Sequence, residues 1–67
     1  MLTLTRKPNQ GFIIDLDSEA NPNMTVAELF RDGPIDVVIQ AAVGQKISVG
    51  IDAPAELKIL RDELLGG

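Results

Sequence analysis

Ile35-Asp36-Val37-Val38-Ile39-Gln40-Ala41-Ala42-Val43-Gly44-Gln45-Lys46-Ile47-Ser48-Val49-Gly50-Ile51 is the stretch that decides the fold. Its first nine residues are rich in β-branched side chains and unbroken by Pro or Gly, Gly44-Gln45 supplies turn chemistry, and the last six alternate strictly. The pattern predicts two strands joined by a tight turn. Ile47, Val49 and Ile51 are expected to face the core, and Lys46, Ser48 and Gly50 to face out.

On the N-terminal side, Thr25 is followed three residues later by Glu28, the form of a capping box. Val26, Leu29 and Phe30 then recur at helical spacing, which predicts a short helix from about Val26 to Arg31, stopped by Gly33-Pro34. A helix this short does not stand alone in water, so its apolar stripe is expected to pack on the sheet or on a partner. Asp15 to Met24 is acidic and polar, with Pro22 between two asparagines, and reads as loop. Before it, Phe12-Ile13-Ile14 is an apolar run preceded by Pro8-Asn9-Gln10-Gly11. Earlier still, Leu2, Leu4 and Arg6 share one face of an extended segment, with Thr3, Thr5 and Lys7 on the other. These two segments read as a hairpin.

On the C-terminal side, Asp52-Ala53-Pro54 breaks the strand. Leu57-Lys58-Ile59-Leu60 fits a fifth strand, yet Ala55 to Leu65 also fits a helix, and periodicity alone does not choose.

Composition narrows the functional classes. With 67 residues and no cysteine, the chain has room for one small domain that hides only about 60% of the surface its unfolded chain exposes, with no disulfide to reinforce it, so a partner chain is an expected source of stability. The hydrophobic fraction of 45% against 24% charged is that of a folded protein. No segment approaches the roughly 18 apolar residues of a membrane span, and the N-terminus lacks a signal-peptide layout. We read the chain as soluble and cytoplasmic, without a membrane partner. Ten acids against six bases give a formal charge of −4, which sits awkwardly with phosphate binding.

Enzyme chemistry finds little to work with. There is no His or Cys, Ser18 and Ser48 have no candidate base, and Asp15, Asp17 and Glu19 lie in a polar stretch and not in a buried pair. The Asp15-x-Asp17-x-Glu19 spacing lacks the loop glycine and terminal glutamate of an EF-hand, and Gly44 and Gly50 are too isolated for a phosphate loop. No cofactor or metal is expected.

The two ends of the chain carry a more specific signal. A Leu-x-Leu-x-Arg start at Leu2, Leu4 and Arg6, a Gly-x-x-Ala-Pro block from Gly50 to Pro54 and an Arg-Asp-Glu-Leu end from Arg61 to Leu64 occur in register over two long blocks. Together they resemble the carbon-storage-regulator family (CsrA/Rsm) of RNA-binding translational regulators. Residues 1–14 and 35–64 follow the family pattern without gaps. Residues 15–34 form an insertion where ordinary members have a short turn, similar to the helix-inserted Rsm branch found in pseudomonads. Residues 1–67 are thus read as one domain carrying an insertion.

The resemblance implies a mainly β fold, a small antiparallel five-stranded sheet with one inserted short helix, in an intertwined homodimer. It also resolves the last segment, making Leu57 to Arg61 a strand against the first strand of the other subunit, with Asp62 to Leu65 a short terminal helix or frayed end. The function it implies is binding of GGA motifs in single-stranded loops of messenger leaders and small RNAs, where splayed bases are open to hydrogen bonding and stacking. The implied RNA-binding residues are Leu4, Thr5, Arg6, Lys7, Ala53, Pro54, Leu57, Ile59 and Arg61. Arg61 matches the family's functional arginine, and its planar guanidinium suits phosphate or guanine. Main-chain groups at a strand edge and at Ala53-Pro54 can read bases without net charge, leaving cations to supply affinity and register.

Two positions depart from the family. Ser48 and Ala55 stand where many members carry Arg and Lys, and the loss lowers affinity and flattens its salt dependence. A family member that has lost RNA binding and acts as a dimerising modulator is therefore an alternative. A second is a ubiquitin-like sulfur carrier, for which the Thr25 to Leu29 helix start and the Gly66-Gly67 end are the motifs.

Overall fold

Five strands and one short helix follow in chain order in the computed structural model, which describes residues 1–62. They are β1 (Leu2–Arg6), β2 (Phe12–Leu16), α1 (Val26–Leu29), β3 (Asp36–Val43), β4 (Lys46–Asp52) and β5 (Leu57–Arg61). The mainly β class, the five antiparallel strands and the single inserted helix agree with the sequence reading. So does the choice of strand over helix for Leu57 to Arg61. Of the terminal helix or frayed end read for Asp62 to Leu65, all but Asp62 lies outside the described residues, as does Gly66-Gly67.

The β3–β4 hairpin forms as the alternation predicts. Val43 lies opposite Lys46, and Gly44 takes φ +60° while Gln45 does not, the arrangement of a type II′ turn whose twist matches that of the strands it joins. Val49 and Ile51 are buried and Ile47 packs against them. Gly50 points away from that core as expected, yet it is buried, because a bulge at Gln40 turns that side chain over it, with the Met1 thioether alongside.

The expected β1–β2 hairpin is not made. β1 pairs with β4, so that the three-stranded sheet runs β1-β4-β3, and β2 pairs with β5 in a second, two-stranded sheet. The turn between β1 and β2 explains why. Gln10 N donates to the Lys7 carbonyl at 3.0 Å, Pro8 occupies the second turn position and Asn9 the third at φ 69°, which is a type II turn. Unprimed turns splay the strands they join, so β2 leaves the plane of β1. β5 accordingly lies beside β2 of its own chain.

The two sheets enclose a small core. Leu4, Val49 and Ile51 are its buried members, with Phe12 and Ile59 of the two-stranded sheet, Ile47 and Ala53 packed against them. The two-stranded sheet does not reach across to β3. Val37 and Ile39 lie opposite Ile51 and Val49 and share their face, but they are 47% and 62% exposed.

Helix α1 starts as its capping residues require: Thr25 is extended and its hydroxyl oxygen accepts from Glu28 N at 3.1 Å. It ends two residues earlier than expected, at Leu29 with Phe30 as cap. Leu29 and Phe30 are half-buried, whereas Val26, expected to pack, is 71% exposed. Among the described residues no helix is long and apolar enough to cross a membrane.

Candidate nucleic-acid interface

Arg6 and Arg61, far apart in sequence, converge on one carbonyl. Arg6 Nε donates to Thr5 O at 2.8 Å, and Arg61 NH1 lies 3.5 Å from the same oxygen. The ends of β1 and β5 therefore meet within one chain. Register explains the meeting. Phe12, Ile14, Leu57, Ile59 and Arg61 share the face that turns toward the three-stranded sheet, and the side chain at its end, Arg61, reaches β1.

The predicted residues fall into two groups. Thr5 and Lys7 are exposed, and Ala53, Pro54, Leu57 and Arg61 are half-buried at the surface. Leu4 and Arg6 are buried, and Ile59 packs against the core. Arg6 is 5% exposed: beyond the Thr5 contact, NH1 donates to the Gly11 carbonyl at 3.1 Å and lies 3.5 Å from Asp62 Oδ1. The alternation of β1 had placed Arg6 on the same face as Leu4, and that was the available sign that its charge would turn inward.

The same register sorts the charges. Arg6 lies opposite Ile47, next to Lys46, so Arg6, Lys7, Lys46 and Arg61 collect at one end of the molecule, together with Asp62. At the other end Asp36 lies opposite Asp52, and Asp52 binds the Met1 amino terminus at 3.4 Å. The Ala53-Pro54 turn belongs to that acidic end, at the opposite end of β5 from Arg61. Four residue steps of strand, about 13 Å, separate Leu57 from Arg61. Four of the six basic residues thus sit together despite the formal charge of −4.

Beside the turn lies a feature that residue types alone did not reveal. Arg31, just past α1, donates through NH2 to Glu56 Oε2 at 2.9 Å and through NH1 to the Glu28 carbonyl at 2.6 Å. The hydrogen bond from Arg31 holds the Glu56 carboxyl below its ordinary value, helped by Glu56's own main-chain N–H, and Arg31 is raised in turn. Among the described residues no cluster of His, Cys, Asp and Glu could hold a metal ion.

A comparison against family sequences identifies the family. The model of CsrA, described as the Global regulator protein family, matches residues 1–66. The chain belongs to the CsrA family. The match spans both the strand blocks and the helical insertion between them. CsrA proteins are RNA-binding regulators that form dimers, and the family is a regulatory one. No curated protein matches this chain.

Proposed function

We propose that this CsrA-family chain is a homodimeric post-transcriptional regulator of the helix-inserted branch, acting in the cytoplasm on GGA motifs in single-stranded loops of messenger leaders and small RNAs. Occupying a leader near the ribosome site blocks translation, and competing small RNA relieves the block. The observation that carries this reading is the placement of Arg61 over the Thr5 carbonyl, beside Lys7, with the Ala53-Pro54 turn at the far end of the same strand. Cations at one end engage phosphate, and main-chain groups at the turn read an unstacked base. Thr5, Lys7, Ala53, Pro54, Leu57 and Arg61 are the contacts. Leu4, Arg6 and Ile59 hold the surface from behind.

Two observations support the homodimer. Leu4, Val49 and Ile51 are the only buried apolar residues among those described, a small core for a chain of this length. The core face also continues along β3 through Val37 and Ile39 into water, beside an unpaired strand edge.

A mobility shift with a GGA-loop hairpin tests the function. Retardation at micromolar protein in low salt is expected, abolished by Arg61→Ala; no retardation of the wild-type chain rejects it. The second reading, a dimer that has lost RNA binding and titrates other subunits, draws support from the inward-turned Arg6 and from Ser48 and Ala55. It predicts a folded dimer with no shift.

A further inference from the structure

The insertion grips the turn that leads into β5 from two sides. Glu56 is the third residue of that turn, which Leu57 N closes by donating to the Pro54 carbonyl at 3.0 Å. On one side, Asp17 N donates to the Glu56 carbonyl at 2.8 Å, beside a cleft of about 230 Å³ lined by Asp17, Glu19, Ala20, Ala55 and Glu56. On the other, residues 32–34 face Asp52, Ala53 and Pro54 across a smaller cleft of about 150 Å³. Arg31 ties the far end of the insertion to the Glu56 carboxylate, and that carboxylate side chain is only 23% exposed.

We infer that Arg31 is a positioning residue for RNA readout: by holding Glu56 it fixes the Pro54 to Leu57 turn, so that the main chain at Ala53-Pro54 presents one pattern to an unstacked base. This rests on the RNA-binding reading above. Main-chain readout needs a turn fixed before binding, since ordering it at the moment of binding subtracts from affinity. Arg31 is suited to this role because NH1 and NH2 each already donate one bond, to the Glu28 carbonyl and the Glu56 carboxylate, which sets the guanidinium against the turn.

The full-length chain and its Arg31→Ala, Arg31→Lys and Glu56→Gln variants are titrated with a GGA-loop hairpin and with the same hairpin carrying a scrambled loop, over a range of salt. Arg31→Ala and Glu56→Gln are expected to lower discrimination between the hairpins about three- to tenfold, with an unchanged salt slope and partial recovery in Arg31→Lys. The ratio between the two hairpins is decisive for Glu56→Gln, because removal of a negative charge by itself tightens binding to both alike. Unaltered discrimination in either variant, or a salt slope reduced by about 0.7 in Arg31→Ala, overturns the inference. Hydrogen exchange gives a readout without RNA: the Leu57 amide is expected to exchange faster in Arg31→Ala at an unchanged melting temperature, and unchanged exchange rejects the grip. If the wild-type chain binds neither hairpin, the RNA reading fails and the inference falls with it. If the wild type discriminates and loses binding with Arg61→Ala while Arg31→Ala behaves as wild type, the inference alone fails.

Discussion

Asp62 reaches from the end of β5 to the buried guanidinium of Arg6, joining the two sheets at their cationic end. Its Oδ1 lies 3.5 Å from Arg6 NH1, while Oδ2 accepts from Gly11 N at 2.8 Å. One carboxylate thus ties the turn between β1 and β2 to the end of β5. Arg6 completes the tie by donating to the Gly11 carbonyl.

Arg6 is consequently expected to stabilise the fold more than it strengthens RNA binding. Arg6→Ala removes a packed stem and the bond to the Gly11 carbonyl, which keeps only the longer donation from Asp62 N at 3.4 Å, and costs about 1–3 kcal/mol. Asp62→Asn keeps an acceptor for Gly11 N and loses only an attraction at a half-exposed carboxylate, about 1 kcal/mol. Urea midpoints at constant m measure both. An Arg6→Ala midpoint equal to wild type contradicts the structural role.

Gly50 is covered by movable atoms. A Cβ there comes 2.7 Å from Gln40 Nε2 and 2.8 Å from Met1 Sδ, both ends of flexible side chains. Gly50→Ala is expected to change stability by less than about 1 kcal/mol, as the lost unfolded-state freedom offsets the displacement. Gly50→Val adds two methyl groups to the same space and costs about 1–3 kcal/mol. Thermal melting of the two variants separates these outcomes, and equal losses contradict the account.

The Arg31–Glu56 pair makes the insertion acid-sensitive. Glu56 is held below its ordinary value of 4.5, chiefly by the Arg31 hydrogen bond, so its contribution is fully present above that value and is lost as pH falls through the lower folded one. The surrounding charges are Asp17 and Glu19 across the cleft, and Glu28 and Asp32 beside Arg31. A carboxyl NMR titration is expected to give Glu56 a midpoint below 4.5 that moves back up in Arg31→Ala. A midpoint unmoved by that substitution removes Arg31 as the cause.

The open face of β3 is expected to be the dimer seam. Ile39, 62% exposed, lies on it beside Val37. Ile39→Glu places a charge where burial without a partner is costly, and sedimentation is expected to shift from dimer toward monomer. A variant that remains as dimeric as the wild type places the seam elsewhere.

Much of this arrangement was legible in the sequence because it is local. The strict alternation of Lys46 to Ile51 assigned Val49 and Ile51 to the core, Gly44 marked the hairpin, and Thr25 with Glu28 marked the helix start. Motifs at the two ends indicated the family and the residues around Arg61. Alternation even places Arg6 on the face of Leu4, although the family resemblance implies an RNA contact for that cation.

What the sequence determined alone is which segments extend, where they turn and which face each side chain takes. Only the tertiary structure decided which strand lies beside which. An apolar face is satisfied by any neighbour in register, so alternation does not distinguish β2 from β4 as the partner of β1. The type II turn at Pro8-Asn9 directs β2 out of the plane of β1, and β4 takes its place. From that exchange follow the burial of Arg6, the meeting of Arg61 with Thr5 and the gathering of basic residues at one end. Arg6 bonds Thr5 and Gly11 nearby in sequence, but its burial and the Arg61–Thr5 contact depend on long-range pairing.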